Sequence, residues 1–201
     1  MAKPFPFSDR KLILASSSPR RRYLLRLIRF KHVVAVPDVR EDEHADDDPV
    51  KHVLGLSRLK ALSVRDKAKD GYILGADTIV VLDGDILEKP GSEAEAKGML
   101  ARLAGRTHHV YTGLALVDAA TGKEAGGYEK SGVRIREMTP EEIEAYVATG
   151  EPMDKAGSYG IQGYGAAIVE YVEGCYFNVV GLPVVRLLKL IRELDSICGG
   201  S

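Results

Sequence analysis

The chain has little of what marks a secreted, membrane-bound or nucleic-acid-coating protein. Its 201 residues include two cysteines, Cys175 and Cys198. They lie far apart and without metal-ligand spacing, which argues against a disulfide framework and fits a reducing cytoplasm. Neither sign of charge dominates: 28 basic and 29 acidic side chains leave a net charge of -1. That balance argues against a general polyanion binder, so any basic site must be local. No apolar run approaches the roughly 20 residues of a membrane span. The run after Arg10 is too short for a signal-peptide core and leads straight into charge. A soluble, cytoplasmic protein is expected. Familiar nucleotide and metal signatures are missing as well. There is no G-x-x-x-x-G-K-S/T loop, the order of Gly160, Gly163 and Gly165 is wrong for a dinucleotide fingerprint, and no H-E-x-x-H helix occurs. Among five histidines only His108 and His109 are adjacent. In a strand they face opposite ways and make poor joint ligands.

What is present is enough apolar material, 45% of residues, for a full core in one domain or two tightly joined lobes. Helical and strand patterns alternate. Strands are expected at Lys11–Ala15, His32–Val36, Tyr72–Leu82 and His108–Val117, and in a further segment running to Arg136. Helices are expected from Pro19 to Arg29, from Pro49 to about Lys69 behind the N-cap Asp48, and from the Ser92-Glu93-Ala94-Glu95 capping box to near Gly105. Asp83-Gly84 marks a hairpin. A second capping box, Thr139-Pro140-Glu141-Glu142, opens a helix with Gly150 at its end. The stretch Gly157–Gly165, with four glycines and two tyrosines, suits close backbone approach to a ligand rather than a regular element. Two short strands split by Glu173-Gly174 follow, then a final helix after Leu182-Pro183. Hairpin turns and helical crossovers together predict an α/β chain with a mixed sheet.

Chemistry concentrates at the ends of these elements. In Leu12-Ile13-Leu14-Ala15-Ser16-Ser17-Ser18-Pro19-Arg20-Arg21-Arg22 a buried strand gives way to small hydroxyl residues, a helix-starting proline and three arginines. Cations sit poorly at the positive end of a helix unless an anion is held there, phosphate being the usual one; the alternative is a solvated basic face. Asp77 places a carboxylate inside the otherwise apolar run from Tyr72 to Leu82. Such a charge must be paired, metal-bound or at an edge. Lys60 and Lys89 read, each alone, as surface lysines, and the acidic stretch Glu41–Asp48 reads mostly as a solvated loop.

Together, Ala15-Ser16-Ser17-Ser18-Pro19-Arg20-Arg21, Gly75-Ala76-Asp77-Thr78, Leu87-Glu88-Lys89-Pro90, Asp154-Lys155-Ala156-Gly157 and Val180-Gly181-Leu182-Pro183 resemble the Maf proteins. These are nucleoside triphosphate pyrophosphatases with a fold related to that of the inosine triphosphate pyrophosphatases. The resemblance covers about residues 12–194 of a single domain spanning 1–201, with residues 1–10 and 195–201 expected as flexible ends. It implies a mixed, twisted sheet with helices on both sides, in an elongated two-lobed fold with a central cleft. It further implies that Asp77 is the general base or metal-bound catalytic carboxylate, with Glu41 as its acidic metal partner and Mg or Mn as the divalent metal. Lys60 and Lys89 are implied as catalytic cations, and Ser16, Arg20, Arg21 and Lys155 as phosphate-binding residues.

Within the family, the branch acting on dTTP and UTP is marked by residues that here are Arg20, Thr78 and Gln162. The Ser-Glu-Gly type sequence of the 7-methyl-GTP branch is lacking. The implied reaction is hydrolysis of dTTP and UTP to the monophosphate and pyrophosphate, with modified pyrimidine nucleotides left open as further substrates. Charge builds on the leaving pyrophosphate, and cations with a metal stabilise it best in a water-poor cleft. Two carboxylates with phosphate oxygens and water suit Mg²⁺. Alternatives are a 7-methyl-GTP pyrophosphatase and a nucleotide-binding regulator of septum formation. The expected partner is a nucleoside triphosphate, with no membrane and no stable nucleic-acid binding. A homodimer is left open.

Overall fold

The run Leu-Ile-Leu-Ala has no polar side chain, and it forms a strand buried along its whole length, β1 (Leu12–Ala15). A strand that reads apolar at every position belongs inside a sheet covered on both faces. Here β1 is flanked by two parallel neighbours, β2 (His32–Ala35) and β3 (Tyr72–Leu82), with Ala15 opposite Ala35 on one side and Gly75 on the other. Parallel neighbours need crossovers, and helices supply them: α1 (Pro19–Leu27) between β1 and β2, and α2 (Pro49–Leu62) between β2 and β3. The computed structural model describes residues 11–40 and 46–199.

Further along are β4 (Asp85–Leu87), α3 (Glu93–Leu103), β5 (Thr107–Asp118), β6 (Glu124–Ile135), α4 (Pro140–Ala148), β7 (Val169–Glu173), α5 (Tyr176–Val180) and α6 (Val184–Gly199). The strands follow the order β2-β1-β3-β5-β6-β7, and β4 pairs with β3. The β3–β4 and β6–β7 pairs are antiparallel, so the sheet is mixed, as expected. Among the described residues, no helix is long and apolar enough to cross a membrane.

The chain divides into two units. The first comprises residues up to Asp77, Thr112–Glu129 and the segment from Gly181; the second comprises Thr78–Tyr111 and Lys130–Val180. The first has a core that includes Ile13, Ala15, Ala61, Val64, Ile73 and Val117. In the second, Val80, Leu100, Leu103, Val133, Ile135 and Val147 are among the residues that pack together.

Three elements differ from the sequence expectation. Helix α2 stops at Leu62 rather than near Lys69, and a 3-10 turn, Arg65–Lys67, follows. There Val64 N–H reaches Ala61 C=O and Lys67 N–H reaches Val64 C=O, while Ser63 Oγ donates to the Lys60 carbonyl. These tighter bonds satisfy the helix end and close it early. Beyond Glu173-Gly174 the chain forms α5 in place of a second strand. The valines favour a strand, but Asn178 Nδ2 donates to Val110 C=O and to Ser131 Oγ at 3.0 Å each, and Ser131 Oγ also bonds both N–H and C=O of Cys175. Tertiary hydrogen bonds override the local preference. Residues 195–199 belong to α6 rather than to a flexible end; Asp195 accepts from the buried Tyr72 hydroxyl at 2.5 Å.

Candidate active site

A helix can deliver polar side chains to a sheet only if its backbone comes close. A Cβ on Gly75 would lie 1.9 Å from Ser57 C=O, and one on Gly113 would lie 2.3 Å from Val53 C=O. Both strands thus offer glycine where α2 passes, and no other residue fits. The start of α2 is fixed by Asp48, whose carboxylate accepts from Val50 N–H at 2.8 Å and Lys51 N–H at 3.0 Å, with Pro49 in the first turn.

Seated this way, α2 presents Lys60 to Asp77. Lys60 Nζ donates to Asp77 Oδ1 at 2.7 Å, and Lys60 and Asp77 are 6% and 5% exposed. The charge in the apolar β3 run is therefore paired, which is what its burial requires. Asp77 Oδ2 is buried with no hydrogen-bond partner. His52 Nε2, from α2 eight residues before Lys60, lies 4.0 Å from it. His52 is 2% exposed and its Nδ1 contacts the backbone of Asp46. Neither the pairing nor His52 was legible in the sequence. The one available signal was helical spacing, which puts residues 52, 56 and 60 on one face.

The turn after β1 forms a second group. Ser16 Oγ accepts from Ser18 N–H at 3.1 Å and from Arg21 Nη1 at 3.2 Å, while Arg21 Nε donates to Gly181 C=O at 2.8 Å. Two segments 160 residues apart are joined by this buried guanidinium, whose planar fork suits several simultaneous acceptors. Arg20 is half-buried on the first turn of α1. That turn holds no acidic residue, and the N-cap Ser18 makes no side-chain cap bond.

Four candidates lie in the second unit. Thr78 is half-buried on β3, and Lys89 is exposed after β4. Lys155 Nζ donates to Glu151 C=O at 2.5 Å and Asp154 Oδ1 at 2.6 Å, so its own loop engages it. Gln162 is half-buried and precedes a 3-10 turn, Gly163–Ala167. The glycine-rich stretch is therefore more ordered than expected, with a second short 3-10 turn at Ala156–Ser158. Glu151, which the sequence reading did not single out, is its organiser. Its carboxylate accepts from Tyr146 hydroxyl, Tyr164 N–H and Gly165 N–H. Also unforeseen is His108, buried against Tyr159, with Nε2 2.6 Å from the phenol oxygen. Burial, with the nearby His109, pushes its pKa down to about 4. The neighbouring His109 is exposed, as strand alternation requires.

Glu41 lies outside the described residues. Among the described residues, no group of three or more His, Cys, Asp or Glu side chains is placed to hold a metal alone.

Residues 11–194 match the family described as Maf-like protein. The chain is 48% identical over 187 residues to a dTTP/UTP pyrophosphatase of Bacillus cytotoxicus, covering 93% of this chain and 97% of that protein. It is 49% identical over 181 residues to a protein of the same name from Moorella thermoacetica, covering 90% and 93%. Against the solved structure of the Staphylococcus aureus Ham1 protein the TM-score is 0.47 with 14% identity, over 94% of this chain and 98% of that one. At that level the likeness assigns no activity. The match over 11–194 does place the protein: this chain belongs to the Maf family.

Proposed function

We propose that the protein is a nucleoside triphosphate pyrophosphatase that hydrolyses dTTP and UTP to the monophosphate and pyrophosphate. Family membership and the names of relatives at 48–49% identity support the reaction. The observation that carries it is the state of Asp77: one oxygen is neutralised by Lys60 and the other is buried without a hydrogen-bond partner. An orphaned buried carboxylate oxygen costs free energy until a ligand or ion meets it, so its presence points to a functional role.

A divalent metal fits that oxygen. Mg²⁺ or Mn²⁺ takes one or two carboxylates and completes its shell with phosphate oxygens and water, which needs no cage of three protein ligands. Asp77 Oδ2 and Glu41 would hold it, and when bound it would supply Lewis-acid neutralisation of phosphate charge. Lys60 orients the Asp77 carboxylate through Oδ1. Ser16 and the uncapped first turn of α1 suit phosphate oxygens, since helix N-termini favour anions. Arg21 braces that turn against Gly181. The family resemblance assigns Arg20 and Lys89 as further cations for phosphate charge. Lys155 spends two of its three N–H donors on Glu151 and Asp154, leaving one for phosphate.

Thymine and uracil present two carbonyl acceptors around one N–H donor. Gln162 offers an amide donor and acceptor that match part of this edge, while Arg20 only donates; Thr78 belongs to the same reading. Cytosine exchanges donor and acceptor there and is disfavoured. One methyl is worth only about 1–3 kcal/mol in a pocket, so dTTP and UTP are both substrates. Both cysteines are free, which fits a reducing cytoplasm.

The test is pyrophosphate release from dTTP, UTP, CTP, ATP, GTP and 7-methyl-GTP with Mg²⁺. Turnover of dTTP and UTP well above the rest is expected. Preference for 7-methyl-GTP would overturn the base assignment, and binding without any release would leave a nucleotide-binding regulator instead.

A further inference from the structure

A glycine-rich loop that reads a base must be stiff when the base arrives, or binding has to order it first. In this chain a single carboxylate supplies the stiffness. Glu151 Oε1 accepts from Tyr146 hydroxyl at 2.8 Å and from Gly165 N–H at 3.0 Å, and Oε2 accepts from Tyr164 N–H at 2.9 Å. The Tyr146 oxygen in turn accepts from Gly160 N–H at 3.1 Å. One anchored amide thus precedes Gln162 and two follow it. The loop ends meet as well: a Cβ on Gly165 would lie 1.6 Å from Gly160 C=O, and one on Gly163 would lie 2.3 Å from Glu151 Oε2. Tyr146 belongs to the second unit's core and is 5% exposed. Burial holds its phenol above the usual range, so the hydroxyl stays an obligate donor to Glu151.

We propose that Glu151, acting with Tyr146, is a positioning residue for base selectivity. It latches the Gly160–Gly165 backbone and so holds Gln162 ready for the pyrimidine edge. This rests on the reading of Gln162 given above. Glu151 itself spends its carboxylate on the loop and needs no contact with substrate. Hydrogen bonds to an ionised carboxylate are about twice as strong as neutral ones, so removing the charge loosens three anchors together.

The experiment is steady-state pyrophosphate release from dTTP and CTP by the full chain with Mg²⁺, for the parent, Glu151→Gln, Tyr146→Phe, Gln162→Ala and the double variant Glu151→Gln/Gln162→Ala. Glu151→Gln should lower kcat/KM for dTTP about tenfold or more, chiefly through KM, because bonds to charged groups carry that much. It should lower CTP turnover far less, narrowing the dTTP-to-CTP ratio. Tyr146→Phe should act in the same direction. Once Gln162 is alanine, adding Glu151→Gln should narrow the ratio little further, since the two act through one element. Amide hydrogen exchange at Tyr164 and Gly165 should quicken in both latch variants. If Gln162→Ala narrows the ratio and Glu151→Gln does not, the latch is overturned while the base reading stands. If Gln162→Ala leaves the ratio unchanged, the base reading itself fails, and the latch with it. Should Glu151→Gln lose its cooperative melting transition, Tyr146→Phe, which leaves every charge in place, decides by the same ratio.

Discussion

In the first unit Asp77 is held by another charge, Lys60 at 2.7 Å, with both side chains nearly out of solvent. In the second, Gln162 is neutral and sits on a loop held by neighbours, through Glu151 and Tyr146. If the proposed reading holds, the Asp77 carboxylate works through its under-satisfied oxygen, and α2 clamps it against β3 through Lys60. A base-reading amide needs only a fixed backbone, which hydrogen bonds to main-chain N–H groups provide. On the proposed reading, chemistry is built on regular elements and selectivity on a loop.

The sharpest way to break this contrast is at Asp77. Asp77→Asn keeps the shape and removes the charge, and turnover with Mg²⁺ should fall at least 10²–10⁴-fold, the range for a lost general base or catalytic carboxylate. Near-normal pyrophosphate release by the Asn protein would make Asp77 structural.

Next is Lys60. Lys60→Met leaves a buried carboxylate unpaired and should destabilise the protein by about 3–5 kcal/mol. The double change Lys60→Met/Asp77→Asn should recover most of that stability while remaining inactive. Chemical denaturation of the three proteins checks it; equal stability of the single and double variants would mean that the ion pair does not hold the first unit.

A charge that the second unit keeps out is His108. Its folded pKa is depressed to about 4 against an ordinary 6.5, so the unfolded chain binds the proton first. Stability is therefore complete above pH 6.5 and falls as the pH drops toward 4, by up to about 3 kcal/mol from the difference in pKa. Denaturation curves between pH 4 and 8 should show this loss in the parent and a flatter profile in His108→Gln. A variant with the same slope as the parent would assign the loss to other groups.

A further effect concerns the seat of α2. Gly75→Ala drives a methyl into Ser57 C=O, so α2 must shift, and the cost should reach or exceed about 3 kcal/mol, the upper end for an overpacked contact. Because α2 carries Lys60, activity should fall by more than the loss of folded protein explains. Comparing activity per folded molecule with the melting temperature tests this.

Much of the fold was readable because local physics and tertiary structure agreed. The four-residue apolar run of β1, the Asp48-Pro49 start of α2 and the Thr139 capping box all form as expected. At the last, Thr139 Oγ1 accepts from Glu142 N–H and the Glu142 carboxylate accepts from Thr139 N–H. At Ser92 only half the box forms: Ser92 Oγ accepts from Glu95 N–H, but the Glu95 carboxylate turns to Gly91 N–H. Where long-range hydrogen bonds competed with propensity, as at α5, the sequence reading failed.

The amino-acid sequence by itself determined the alternation of helix and strand, the mixed sheet, the family, and the candidacy of Asp77, Ser16, Arg20, Arg21 and Gln162. Those properties follow from residue type and near-neighbour spacing. Only the tertiary structure decided that Lys60 rather than solvent meets Asp77, that one Asp77 oxygen is left over, and that Arg21 binds Gly181. Only there, too, did Glu151 become the centre of a loop that begins nine residues after it. These are contacts between segments that share no local pattern. Their geometry is set by how closely backbones can approach, at Gly75 and Gly165 above all, and a one-dimensional string carries the glycine but not the neighbour it admits.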